Sequence, residues 1–430
     1  MSNKAKTTDM KEDCKPALGP KLRFPEFRDA PGWKETRFDE VLTPIVRERK
    51  KPVEAYTGLG LRSHGKGTFL KRLEDPKKNA MDYLYEVKCD DLILNITFAW
   101  EGAVAIAGPS DDGALVSHRF PTYTFEKGKA SHEFFRYIIL DKQFVYSLGV
   151  ISPGGAGRNR VLSKNDFLKL KALLPGTGEQ QRIAGCLSSV DELIAAHAGK
   201  LDALKAHKKG LMQQLFPHEG ETQPRLRFPE FRNAGEWEKT TIGALGNFYY
   251  GKSAPKWSLE DEAPTPCVRY GELYTKFGPI ITETYSRTNI DPTTLRFSKG
   301  GEILVPRVGE KPEDFGKCCC YLPLKGIAIG EMISVFETEQ HPLFYTYYFR
   351  HLYKQFARVV EGQNVKNLYY AVLQPLAICR PPIPEQKRIA DCLNTLDDLV
   401  AAQSAKLEAL KTHKKGLMQR LFPSPEEVDT

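Results

Sequence analysis

GLRSHGKG, at Gly60–Gly67, comes nearer to a catalytic motif than any other stretch of this sequence. Glycines and a lysine at these spacings could cradle the phosphates of a nucleotide. The position that needs Ser or Thr for magnesium is Gly67, however, and no strong apolar strand precedes the segment. A surface loop without nucleotide hydrolysis is therefore expected there. Other reactive patterns are missing too. The sequence holds no HExxH, no GxSxG and no glycine fingerprint after a strand. RPPIP at Arg380 is not the NPPY- or DPPY-like tetrapeptide that holds a flipped base for amino methylation. Cys318, Cys319 and Cys320 are adjacent and cannot all turn toward one metal, and there is no CxxC pair. They read as part of a strand. His64, His118 and His351 have no partner at a telling spacing. These residues predict a binder, with no metal or cofactor of its own, that leaves reaction to others.

What the residues could do is bind a polyanion. Basic side chains are interleaved with glycine and aromatics in GLGLRSHGKGTFLKR (Gly58–Arg72) and GGAGRNR (Gly154–Arg160). Later come YYGKSAPKW from Tyr249, PRVGEKPEDFGK from Pro306 and EGQNVKN (Glu361–Asn367). Arg and Lys on such loops can reach phosphates and guanine edges, and Asn and Gln can pair with adenine. Any single residue here could equally be part of a solvated surface loop. The recurrence of comparable loops in two parts of the chain favours binding.

The elements that must position these loops are repeated. LRFPEFR stands at Leu22–Arg28 and again at Leu226–Arg232, and Trp33 and Trp237 follow at the same distance. Glu179–Pro217 and Glu385–Pro423 form a second matched pair, identical at 26 of 39 positions, and the stretches between barely resemble each other. Constant frames surround variable middles. In the first closing segment Ile183, Leu187, Val190, Ile194, Leu201, Leu204, Leu211 and Leu215 follow steps of four and three. In the second, Ile389, Leu393, Leu396, Val400, Leu407, Leu410, Leu417 and Leu421 do the same. His197 and Lys208, and correspondingly Gln403 and Lys414, fill the missing slots. This is a heptad seam, and at ~1.5 Å per residue each helix would be about 55 Å long. Pro384 suits a helix start and the terminal Phe-Pro a stop, whereas Gly178 suggests a less rigid start to the first helix. Like segments in one chain pack readily about a pseudo-twofold axis, hence antiparallel. Ordinary core packing of the stripe is the competing expectation.

The middles read as one mixed α/β fold. Strands are expected at Asp91–Phe98, Val104–Ala107 and Gly301–Val308, and helices over the aromatic runs that begin at His132 and His341. The chain's 430 residues argue for two or three domains. A net charge of +8 is spread along the whole chain and raises the odds of nucleic-acid binding only modestly. The first residues are polar and lysine-rich and read as a disordered tail. Nine cysteines without framework spacing point to a reducing cytoplasm, and no apolar run is long enough for a membrane span.

LRFPEF with a following Trp, a variable middle, then EQxRIA opening a long helix that ends KKGLMQxLFP, all performed twice, resembles the specificity subunit of type I restriction–modification enzymes. The resemblance runs from Lys21 to Pro423. It implies two similar globular α/β target-recognition domains, each reading one half of a split double-stranded DNA sequence. Two helices would join them as an antiparallel coiled coil that sets the gap. The boundaries would be a tail at 1–20, recognition domains at 21–178 and 225–384, spacer helices at 179–217 and 385–423, a linker at 218–224 and a tail at 424–430. Two methyltransferase subunits and restriction (motor) subunits are the implied partners. S-adenosylmethionine, ATP and magnesium would belong to those partners, and this chain would be non-catalytic. Carried over by position, the reading residues are Arg62, His64, Lys66, Arg158 and Arg160 in the first copy. In the second they are Gln363, Asn364 and Lys366, with Lys252, Arg307 and Lys311 added. PGTG before Glu179 departs from the proline-rich start that the family favours. An interaction scaffold for protein partners, without base readout, is the alternative.

Overall fold

Thr177–Leu215 and Ile383–Leu421 are helices of 39 residues each, and they carry the two heptad seams. The protein is described by a computed structural model covering residues 19–154, 160–252 and 254–423. It divides into two units: Met1–Ala196 with Leu407–Thr430, and His197–Lys406. The division falls inside both helices, so each unit takes the first part of one helix and the last part of the other.

In the first unit the helical parts run antiparallel. Ile183 and Leu187 lie in one core with Leu421, Leu417 packs against it, and Asp191 pairs with Lys414. The second unit repeats the arrangement. His197 meets Gln403, and Lys208 meets Asp397 eleven residues further along one helix and six back along the other. None of the sixteen seam positions is exposed. The polar slots are partnered rather than merely tolerated. Gln403 contacts His197 Nδ1 at 2.7 Å and donates to the His197 carbonyl at 2.9 Å. Lys414 Nζ pairs with Asp191 at 2.6 Å and lies 5.4 Å from the Tyr137 ring centre, while the Tyr137 hydroxyl donates to the same Asp191. Lys208, Asp397 and Tyr347 form the matching trio, with Lys208 5.2 Å from the ring centre. Burial pulls the Lys208 ammonium below its usual range, with Asp397 opposing that.

Each unit contains a four-stranded antiparallel sheet with the same connectivity. In the first, the spatial order is Leu42–Ile45, Thr122–Phe125, Leu92–Leu94, Val104–Ile106. In the second it is Gly246–Tyr250, Ile333–Thr338, Glu302–Pro306, Cys320–Leu322. The strands Leu92–Leu94 and Glu302–Pro306 are buried at every position, which is why they run apolar instead of alternating, apart from Glu302, whose carboxylate accepts the Gly300 N–H at 3.0 Å. A two-stranded ribbon also recurs: Lys34–Arg37 pairs Lys171–Leu174, and Glu238–Thr241 pairs Ala377–Arg380. The remaining sheets differ. The first unit adds a five-stranded sheet that includes the hairpin Tyr56–Leu61/Thr68–Leu73, and the second adds a three-stranded sheet around Thr265–Val268.

Several local expectations need correction. The expected strand Asp91–Phe98 is only Leu92–Leu94, because Asn95 accepts the Thr97 N–H and turns the chain. Gly301–Val308 is shortened to Glu302–Pro306, and Val308–Gly309 joins a separate ladder. Each aromatic run is two helices rather than one: His132–Ile138 and Lys142–Val150, then Pro342–His351 and Tyr353–Arg358. In the first run Asp141 stops the chain and caps the next helix by accepting the Gln143 N–H. Of the three cysteines, only Cys320 lies in a strand, Cys320–Leu322. Among the described residues no cluster of His, Cys, Asp and Glu could hold a metal.

The repeated words of the sequence have a physical job in both units. Arg23 of the first opener donates twice to Glu179, at 2.8 and 2.7 Å, and Arg227 does the same to Glu385 at 2.7 Å. The second pair is nearly sealed from water, with side chains 7% and 0% exposed. Next in the helix, Gln180 donates to the Pro175 carbonyl and accepts the Ser131 N–H; Gln386 does the same with Pro381 and His341. Both helix starts are fastened through the same residue types, Arg to Glu and Gln to the carbonyl five residues before it. The terminal Leu-Phe words close the cores. Phe422 stacks on Phe134 at 5.3 Å and lies 5.9 Å from Trp33, while Phe216 stacks on Tyr348 at 4.9 Å. Each buried Leu or Phe contributes about 1.5–3 kcal/mol.

Candidate nucleic-acid interface

In the first unit the P-loop-like segment is the tip of a hairpin. Leu61 pairs Thr68, and the Arg62 N–H donates to Gly67 O across the six residues between. His64, Gly65 and Gly67 all have positive φ, which glycine adopts freely and His64 holds because its backbone is tied down. The His64 and Gly65 N–H groups donate to the carbonyls of Glu101 and Gly102 at 2.7 and 2.9 Å, and Ser63 Oγ donates to the Glu101 carboxylate at 2.7 Å. Those acceptors sit at the end of a short turn, Ala99–Glu101, whose Trp100 ring lies 5.4 Å from the Arg160 guanidinium. The structure thus brings Arg62, His64, Lys66 and Arg160 to one rim. The first three are exposed, and Arg62 leans over Phe69 at 5.2 Å. Arg158 lies outside the described residues.

In the second unit the predicted residues converge by a different route. Val308–Gly309 pairs antiparallel with Lys366–Asn367, which sets the Gln363–Asn364 loop beside the segment carrying Arg307 and Lys311. Lys252 follows the strand Gly246–Tyr250, its N–H donating to the Ile329 carbonyl at 2.9 Å, and Tyr250 lies 4.6 Å from the Arg307 guanidinium. A Cβ at Gly251 would lie 2.2 Å from the Gly330 carbonyl, so only glycine allows the chain to pass there. Lys252, Lys311, Gln363 and Asn364 are exposed, whereas Lys366 and Arg307 are half-buried. Lys366 Nζ is occupied, donating to the Gly362 carbonyl at 2.6 Å.

Sequence reasoning missed the aromatic residues that hold these cations, Trp100 in the first unit and Tyr250 and Tyr369 in the second. Their only signal was the frequency of aromatics next to the basic loops. Chemically, the first rim offers cations and π faces, and the second offers cations, amides and π faces. That combination suits binding of phosphates and base edges.

Comparison with known proteins identifies the family. The type I restriction modification DNA specificity domain matches the chain twice, over residues 32–206 and 234–412. The putative type I restriction enzyme MjaX specificity subunit of Methanocaldococcus jannaschii is 27% identical over 279 residues, 63% of this chain and 62% of that relative. The MjaVIII specificity subunit of the same organism is 26% identical over 274 residues, 61% of this chain and 63% of the relative. The aligned part thus spans less than two thirds of these relatives. Among solved structures, the type I restriction-modification system S subunit from M. genitalium superposes with a TM-score of 0.58 at 14% identity, covering 95% of this chain and 100% of that one. A chain from a study of complex assembly and conformational transition of the type I R-M system gives 0.53 at 19% identity, covering 92% and 98%. At these identities the structures show a shared fold. With two matched domains occupying most of its length, the chain belongs to the type I restriction modification DNA specificity family.

Proposed function

We propose that this chain is the DNA-reading subunit of a type I restriction–modification complex, each unit reading one half of a split target. The observation that carries this reading is the repeat itself. One four-stranded sheet and one set of fastenings occur twice, and each copy presents a different rim, of cations and aromatics in the first and of cations, amides and aromatics in the second. Identical frames with unlike rims are what an asymmetric, two-part sequence requires. On this reading residues 21–178 and 225–384 are the recognition domains, with the helices 179–217 and 385–423 setting the gap between half-sites. Arg62, His64, Lys66, Arg158 and Arg160 contact one half; Lys252, Arg307, Lys311, Gln363, Asn364 and Lys366 contact the other. The chain itself is non-catalytic and works in the cytoplasm. Two methyltransferase subunits dock on the repeated frame, and motor–nuclease subunits join them for cleavage; S-adenosylmethionine, ATP and magnesium belong to those partners.

Salt tests the first part of this directly. Binding of the chain with its methyltransferase subunits to duplex DNA should weaken steeply and linearly in log salt, because phosphate contacts release counterions. Association that hardly responds to salt would instead mark a protein-binding scaffold.

A further inference from the structure

Arg307 differs from the other arginines around it. In the second unit most guanidinium groups are engaged by the protein: Arg227 by Glu385, Arg296 by the Tyr250 carbonyl, Arg350 by the Cys319 carbonyl and Arg358 by Glu219. Arg307 has no such partner among the described residues, and its Nε is buried without one. Two tyrosine rings hold it instead, with the guanidinium carbon 4.6 Å from the Tyr250 centre and 5.2 Å from that of Tyr369. Tyr250 is in turn braced by Tyr370, at 4.6 Å. The backbone is fixed on both sides. The Arg307 N–H donates to Met332 O at 3.0 Å, and its carbonyl accepts from Leu368 at 2.8 Å. The strand that follows is closely packed: the Tyr274 hydroxyl donates to the Val308 carbonyl at 3.1 Å, and a Cβ at Gly309 would lie 2.6 Å from that hydroxyl.

A half-buried cation with unmet donors is costly unless a ligand completes it. With Nε enclosed, the donors left for that ligand are the two terminal nitrogens, a planar fork whose orientation the rings restrict. Phosphate accepts from many directions and needs no such restriction; Lys252 and Lys311, exposed nearby, are suited to it. A fixed fork matches a pair of coplanar acceptors, and on a base edge in the major groove that pair is O6 and N7 of guanine. We infer that Arg307 reads one guanine in the half-site of the second unit, with Tyr250 and Tyr369 as its positioning residues. This rests on the DNA-reading function proposed above.

The test uses the full chain assembled with its methyltransferase subunits and a pool of duplexes randomised in sequence, with bound molecules sequenced. The wild-type complex should select a split motif with a guanine in one half at one position, preferred by roughly 10- to 100-fold. Arg307→Lys, which keeps the charge but loses the fork, and Arg307→Gln should each lose that preference while every other position stays fixed. The half-site of the first unit serves as an internal measure of folding. Uniformly weaker binding with the motif intact would make Arg307 a phosphate contact and overturn the inference, as would an unchanged motif. A wild-type complex that selects no sequence would overturn the DNA-reading function, and this inference with it.

Discussion

At the scale of single residues, the largest effects come from charges removed from water. Arg227 and Glu385 form a bidentate pair with almost no exposure, and the Glu385 partnership raises the Arg227 pKa further. Removing one partner leaves the other buried and uncompensated, so Arg227→Ala should destabilise the second unit by about 3–5 kcal/mol, read by thermal unfolding. Arg227→Lys should recover only part, because a single ammonium cannot reproduce the fork. Arg23, paired with Glu179 but more exposed at 15%, should lose less on the same change. His351 makes a separate prediction. Burial among Phe216 and Tyr348 lowers its pKa to about 4, with its hydrogen bond to the Pro217 carbonyl opposing that. The folded state thus resists a proton that the unfolded chain accepts below ~6.5. Stability from this group is present above pH ~6.5 and is lost as pH falls from there toward 4. His351→Gln should flatten the fall in melting temperature across that window relative to wild type; an equal slope in both would contradict the assignment.

At the scale of elements, the two long helices were legible because their seam repeats over more than four heptads, a signal that no single residue can spoil. What sits in the seam's polar slots was legible only as a gap. Lys208 and Lys414 stood out as breaks, but Asp397 and Asp191 lie on the opposite helix, and Tyr347 and Tyr137 lie in the variable middles. Nothing in local sequence announces such a trio. The openers were similar: repetition marked LRFPEF as important, while its Arg-to-Glu partnership spans more than 150 residues. Short strands were overread, since an unbroken apolar run such as that around Leu92–Leu94 carries no period to mark its ends. Gly185 and Gly199 are weak points of the first helix. Both are exposed, and a Cβ would meet nothing within 4 Å at either. Alanine at each should stabilise the protein by about 1 kcal/mol. A loss of stability would mean that the helix needs those glycines for a close contact.

At the scale of the whole molecule, the proposed function makes the chain modular. Exchanging Glu40–Leu174 for the same span of a relative should change one half of the target and leave the other; movement of both halves would refute two independent readers. Adding seven residues to each long helix, after Ala196 and after Lys406, preserves the seam and should lengthen the gap while both half-sites stay readable. Adding four breaks its phase and should be worse. The most direct measurement is the methylation pattern of DNA from cells that express this chain with the proposed methyltransferase partner, read by single-molecule sequencing. A split motif with a fixed internal gap is expected, and it should disappear when this chain is omitted. Absence of any chain-dependent methylation, with the partner shown to be expressed and bound, would contradict the proposed function.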